Sequence, residues 1–170
     1  SSSNAVGYWQ FKEATAVEFG LKVDSRVDER MNIVSATRGA ARYFKKSNTF
    51  FNNWLMVVQS YQMGIGGTQR LMGEEHNGAR HMEITPDTYW YVRKFLAHLV
   101  AFSQPIGGKA QVQIEPVMVS TGGSLQEIAR QNGIAAEQLK EYNKWLRSDR
   151  IPDDQPYADR KSTRLNSSHT

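Results

Sequence analysis

The sequence predicts a mainly α-helical protein with a small βαα(β) segment on its C-terminal side. Three observations carry this expectation. Apolar residues up to about Ser103 recur with helical spacing, and Gln104-Pro105-Ile106-Gly107-Gly108 then interrupts the chain as a linker. Beyond it, Val112 and Ile114 alternate with Gln111, Gln113 and Glu115, the period of a half-buried strand, before helical spacing resumes. The expected organisation is a helical part over 1–103, a linker over 104–111, a module over 112–158 and a tail over 159–170.

Each element has its own signal. Phe11, Thr15 and Phe19 share one face of a short helix that Gly20 closes. Ser35 is the expected N-cap of a helix running through Lys46, with Ala40, Tyr43 and Phe44 inward. Trp54, Val57, Val58 and Tyr61 recur at i, i+3, i+4 and i+7, which predicts a helix ending near Gly64. Thr85-Pro86-Asp87 supplies a cap, a Pro at the first helical position and an acid in the first turn. A long helix is expected from there, with Tyr89, Val92, Phe95, Leu96 and Leu99 inward. In the module, Ser124 and Glu127 form a capping box, Leu125, Ile128 and Ala129 face inward, and Gly133 ends the helix. Ala135 to Tyr142 is a second helix with Leu139 inward.

Composition narrows the class. The 170 residues, 39% hydrophobic and 11% aromatic, suffice for a core and do not match a disordered chain. With no Cys, a disulfide scaffold and a Cys-ligated metal site are excluded. The longest apolar run, around Phe95–Phe102, is interrupted by His98 and falls short of the ~18 residues that a membrane helix needs. Charge is uneven: 12 basic against 9 acidic residues over 1–103, 6 against 7 over 104–158, and 3 against 1 in the tail. The tail residues Asp159 to His169 read as a sequencing adapter translated in frame, and they are left out of the fold reading. With no initiating Met and no signal peptide, the chain is expected to be an internal piece of a longer product.

Several clusters are candidates for chemistry. Gly7-Tyr8-Trp9-Gln10-Phe11 sets aromatic rings beside an amide, a combination suited to a sugar: a flat apolar face to stack on, and donors and acceptors for hydroxyls. The plainer reading is that Trp9 and Phe11 are core residues. Ser60-Tyr61-Gln62-Met63-Gly64-Ile65-Gly66-Gly67 reads either as a helix end with a flexible loop or as a groove wall of Tyr61 and Gln62. It is not a phosphate loop, since it lacks Lys-Ser/Thr and follows a helix. Tyr91 is either core or aims its hydroxyl at a neighbouring site. Glu74, Glu75, His76 and His81 match no standard metal spacing and read as a polar loop.

In this order and spacing, together with Asp28-Glu29-Arg30 and Ser35-Ala36-Thr37-Arg38-Gly39-Ala40-Ala41-Arg42-Tyr43-Phe44-Lys45, these segments resemble the soluble lytic transglycosylase (goose-type lysozyme-like) family. Within it they are similar to the membrane-bound lytic murein transglycosylase D group, over roughly Ser1–Ser103. The resemblance implies an incomplete lysozyme-like helical lobe that acts on peptidoglycan glycan strands in the periplasm or at the outer membrane. The bond cut would be the β-1,4 link between N-acetylmuramic acid and N-acetylglucosamine, leaving a 1,6-anhydro end. One Glu serves as acid and then base, and the muramic C6 hydroxyl replaces water. Gln10 matches the Gln of the family's Gly-Leu-x-Gln element. Tyr61 matches the Tyr of Ala-Tyr-Asn-Ala-Gly, and Tyr91 matches the later Tyr near the catalytic Glu. Gln62 and Met63 depart from the family's Asn and Ala at that element.

The family's Glu-Ser pair would precede Ser1, so no catalytic residue is expected in this chain, and Glu13 and Glu18 read as surface charges. The substrate-binding candidates are Gln10, Tyr61, Gln62, Tyr91 and Trp9. No cofactor, metal or nucleic-acid partner is expected, and the chain is expected to be monomeric. Residues 117–157 superficially resemble a helix-turn-helix, but Glu137, Lys140 and Glu141 make the second helix net negative, a poor partner for phosphates. They are more similar to a LysM module, whose family binds N-acetylglucosamine polymers, although Pro116 interrupts the opening strand and a final strand is not evident. The alternatives for function are a non-catalytic peptidoglycan- or chitin-binding protein and a lysozyme-type hydrolase.

Overall fold

The structure, a computed structural model, describes residues 4–103, 113–119, 122–155 and 157–163. It is mainly helical, with seven α-helices and two strands among the described residues. They fall into two compact units. One is drawn from Ser1–Ala40 and Lys109–Thr170, the other from Ala41–Gly108. One division between them passes inside the longest helix, at Ala40–Ala41, and the other falls at Gly108–Lys109, within the expected linker at 104–111, which lies outside the described residues.

In the first unit the chain opens with a tight turn closed by a Val6–Phe11 bridge. Helix α1 (Glu13–Glu18) follows, ended by Gly20 at φ +74°. A second narrow ladder, Val23–Asp28, leads into a 3-10 turn at Glu29–Met31 and the start of α2 (Ile33–Phe51). The C-terminal segment runs β1 (Gln113–Val119), α6 (Leu125–Gln131), α7 (Ala136–Tyr142) and β2 (Tyr157–Thr163). β1 and β2 pair antiparallel, from Gln113 opposite Thr163 to Val119 opposite Tyr157. Its core is Leu125, Ile128, Ala129, Leu139, Trp145, Ile151 and Tyr157, joined by Val27 from the N-terminal segment. Backbone bonds seal that junction: Asp28 N–H donates to the Trp145 carbonyl (2.8 Å) and Arg147 N–H to the Arg26 carbonyl (2.9 Å).

The second unit contains the rest of α2, then α3 (Trp54–Met63), α4 (Ile65–Met72) and α5 (Trp90–Ala101). Phe51, Met56 and Val57 form its buried centre, with Phe44, Ile65 and Met72 packed around them. α5 lies against α3 and buries Val92. The loop between α4 and α5 is strapped to the start of α3 by Asn53. Its Oδ1 caps the N–H groups of Leu55 and Met56, while its Nδ2 donates to the His76 carbonyl (2.9 Å).

Most helices sit where the sequence places them, and the departures have physical reasons. Asn32, not Ser35, caps α2: its Oδ1 accepts from Val34 N–H (3.1 Å) and Ser35 N–H (3.3 Å). Ser35 lies inside the helix and donates instead to Glu29 Oε1 at 2.8 Å. Gly66 and Gly67 are not a loop but part of α4, because Ile65, Thr68 and Met72 turn one helical face inward and outweigh the glycines' low propensity. Thr85 and Thr88 close a turn on each other, so α5 starts at Trp90 rather than at Pro86. Phe95 and Leu99, expected inward, are exposed. Pro116 is accommodated within β1, opposite Arg160, in a two-stranded sheet where one side of each strand is an edge. β2 runs on through Asp159–Thr163, the stretch left out of the fold reading.

Candidate functional site

The turn that carries Trp9 and Gln10 is held from below by charge. Its four residues Gly7–Gln10 are closed by Val6 N–H donating to the Phe11 carbonyl and Gln10 N–H to the Gly7 carbonyl, both 3.1 Å. Two residues take left-handed backbone, Gly7 at φ +78° and Gln10 at φ +49°. Under them lies Arg30, only 6% exposed, whose Nη1 reaches the carbonyls of Asn4 (3.3 Å) and Phe11 (3.5 Å). Arg30 is itself gripped by Asp28 through two bonds, Nε to Oδ1 at 2.8 Å and Nη2 to Oδ2 at 2.7 Å. Such a fork-on-carboxylate pair fixes orientation as well as charge. Arg147 adds a contact to Asp28 Oδ2 at 3.3 Å.

Above this base, Phe11 is buried, Trp9 is half-buried and Gln10 is exposed. The Trp9 indole N–H donates to Thr37 Oγ1 on α2 at 2.9 Å, which fixes the ring plane. Gln10 Nε2 donates to the Gly7 carbonyl at 2.7 Å. One amide N–H thus locks the side chain, and the remaining N–H and the carbonyl oxygen suit sugar hydroxyls.

Gly7 explains why the turn needs a glycine. A Cβ there would sit 1.9 Å from the Arg30 carbonyl oxygen, on backbone that cannot yield. Gly7→Ala is expected to cost about 2–4 kcal/mol, from left-handed strain and that clash together. Thermal unfolding checks the loss, and a destabilisation under about 1 kcal/mol would show that the turn has room to shift.

The second group of candidates lies in the second unit. Tyr61, near the end of α3, is half-buried, with the Tyr43 ring edge-on at 5.2 Å and Phe44 tilted at 5.1 Å. The Tyr43 hydroxyl donates to the Ser60 carbonyl, which ties α2 to α3 just beside Tyr61. Burial pushes the Tyr61 phenol far above its usual range, and the neighbouring Tyr91 and Tyr43 push it further. Burial likewise raises Tyr91. Both therefore stay neutral at any physiological pH, able to donate a hydrogen bond but unable to act as bases. Gln62, one residue on, is exposed, and its Oε1 is 3.4 Å from Gln59 Nε2.

The structure thus brings Tyr91 near Tyr61, whose ring packs on Tyr43, and it sets Trp9 and Gln10 on one turn. Tyr43 was legible only as an inner-face residue; nothing local in the sequence marks its hydroxyl bond. The polar stretch around Glu74, Glu75, His76 and His81 is a loop, with His76 Nε2 at 3.4 Å from Glu75 Oε1. Among the described residues, no three His, Asp or Glu side chains are grouped to hold a metal, and no helix is long and apolar enough to cross a membrane.

Residues 1–83, which contain the Trp9–Gln10 turn, the Asp28–Arg30 pair and Tyr61, match the family of the transglycosylase SLT domain. The chain is also similar to the membrane-bound lytic murein transglycosylase D of Escherichia coli strain K12, at 27% identity over 158 residues. That match covers 84% of this chain and 34% of that protein. The protein of the same name from E. coli O6:H1 matches with the same figures. The chain therefore spans about a third of the length of the curated relatives it matches. Tyr91 lies past the end of the SLT match but within the same compact unit as Tyr61.

Proposed function

We propose that this chain is part of a peptidoglycan lytic transglycosylase of the cell envelope, with residues 1–103 contributing to its lysozyme-like domain and 112–158 forming a LysM-like module. The observation that carries this reading is the SLT match over 1–83, which contains both the Trp9–Gln10 turn and Tyr61. The β1-α6-α7-β2 order is compatible with the module reading.

In the proposed reaction a Glu protonates the glycosidic oxygen as the bond to C1 breaks. The same carboxylate then takes the proton of the C6 hydroxyl as that oxygen closes on C1. The Glu belongs to the family's Glu-Ser element, which these 170 residues do not contain, so the chain alone is expected to bind glycan without cutting it. Gln10 would bond sugar hydroxyls and Trp9 would support the sugar face. Tyr61 and Tyr91, held neutral by burial, would act as donors. Gln62, a methylene longer than the family's Asn, would place its amide farther out.

Cosedimentation with purified peptidoglycan and mass spectrometry of the soluble products test this together. Binding without 1,6-anhydro products is expected. Tyr61→Phe should weaken binding by roughly three- to tenfold, the worth of one hydrogen bond. Failure to cosediment would sink the reading. Anhydro products from the chain alone would overturn its inactivity, and reducing ends instead would point to a hydrolase.

A further inference from the structure

Besides the sites already described, the first unit carries a concavity of about 500 Å³ lined by Gly7, Tyr8, Met31, Glu141, Tyr142 and Lys144. That size lies within the range of small-ligand sites. A second hollow of about 380 Å³, which shares Glu141 and Tyr142, continues along α7 past Gln138. Glu141 and Tyr142 therefore line both hollows, and the two together make a trough.

The lining has the chemistry of saccharide recognition. Tyr8 is 75% exposed, an unusual position for a large ring on a turn whose backbone is otherwise pinned. Tyr142 offers a second, half-buried ring across the cleft. The charged side chains are Glu141 and Lys144 in the larger hollow and Glu137 with the shared Glu141 in the smaller, a slight acidic excess that disfavours an anionic ligand while supplying carboxylate acceptors and an ammonium donor for hydroxyls and acetamides. The walls are also preformed. Asp28 is bonded both to Arg30 beneath the turn and to Arg147 beyond α7, and Val27 is buried in the module's core. A cleft that need not be assembled on binding avoids the ordering cost of a flexible one.

We propose that this trough is an accessory subsite for an oligosaccharide of N-acetylated amino sugars, built jointly by the Gly7–Gln10 turn and α7. The inference rests on the glycan reading given above. Because Tyr8 is next to Trp9 and Gln10 on the same turn, a strand held at Gln10 extends into the trough, so one polymer occupies both.

Calorimetric titration of the 170-residue chain tests it, with an N-acetylglucosamine tetramer, N-acetylglucosamine itself and peptidoglycan strands stripped of peptide as probes. The tetramer and the stripped strands should bind and the monosaccharide only weakly. Tyr8→Ala and Tyr142→Ala should each lower tetramer affinity about three- to tenfold, with Tyr8→Phe and Tyr142→Phe retaining it because the stacking face remains. Unfolding curves check that the variants stay folded, and Tyr8, being exposed, is the cleaner of the two. If both Ala variants bind like the unsubstituted chain while Gln10→Ala and Tyr61→Phe weaken binding, the trough proposal is overturned and the glycan reading stands. If Gln10→Ala and Tyr61→Phe have no effect while the trough variants do, the trough stands and the assignment of Gln10 and Tyr61 fails. Absence of tetramer binding by a folded chain overturns the trough.

Discussion

Asp28→Ala is expected to remove about 3–5 kcal/mol of unfolding free energy, because it strands a buried guanidinium. Asp28 is 4% exposed and Arg30 is 6% exposed, and two of Arg30's bonds go to that one carboxylate. Water cannot replace the lost partner without opening the turn above it. The Asn4 and Phe11 carbonyls that Arg30 holds are therefore expected to loosen as well, and Trp9 fluorescence should report this. Arg147→Ala should cost under about 1 kcal/mol, since that side chain is half-exposed and its contact is well screened. The pH dependence separates charge from packing. Burial pushes the Asp28 carboxyl up, but the hydrogen bonds and charge of Arg30, with Arg147 adding, outweigh it and hold the group below its ordinary 3.8. A carboxylate lowered by folding gives stability that is complete above its unfolded value and fades as pH falls through the folded one. Resistance to urea should therefore fall from about pH 5 downward, and Asp28→Ala should flatten that slope. An unchanged slope, or a loss below about 1 kcal/mol at pH 7, would show that the pair contributes little.

What the sequence disclosed and what it hid follow from the range of the interactions. α3, α6 and α7 were legible because Val57, Leu125, Ile128 and Leu139 announce their buried faces within a few residues, and caps such as Ser124 act locally. The start of α2 was missed by three residues because Asn32 and Ser35 are both good caps and only Glu29, an acceptor for the Ser35 hydroxyl, decides between them. Val27 offered no warning that it belongs to the core of the C-terminal module, since its partners run from Leu125 to Tyr157, far along the sequence. β2 was hidden for another reason: strand pairing is made by backbone groups, and Asp159–Thr163 carries no apolar alternation to advertise it. The site shows the same pattern. Gln10, Tyr61 and Tyr91 were marked by motif, but the grip of Asp28 on Arg30 and the bond of Tyr43 to Ser60 exist only in three dimensions.

Trp145 gives that long-range dependence a measurable form. Its ring is fully buried, lies 5.2 Å from the equally buried Tyr157 ring at an interplanar angle of 31°, and donates its indole N–H to Asn143 Oδ1 at 2.9 Å. Asn143 in turn donates to the Leu139 carbonyl at the end of α7 (2.8 Å), so one side chain closes both the core and a helix terminus. Trp145→Ala is expected to cost about 3–5 kcal/mol, the loss of a large buried ring with partial collapse of the hole. Trp145→Phe keeps most of the packing but removes the indole donor to Asn143 Oδ1, and should cost about 1–3 kcal/mol. The effect should not stop at the module. Val27 shares this core, and the Trp145 carbonyl accepts from Asp28 N–H, so the strain reaches the residue that holds Arg30. Amide exchange of Val6, Gln10 and Glu29 should accelerate in Trp145→Ala, in step with Leu125 and Ile128, because a unit sharing one core opens as one. Faster exchange confined to residues 122–155 would mean that residues 4–40 keep their structure without the module, and that its contact with Val27 is not what stabilises the turn.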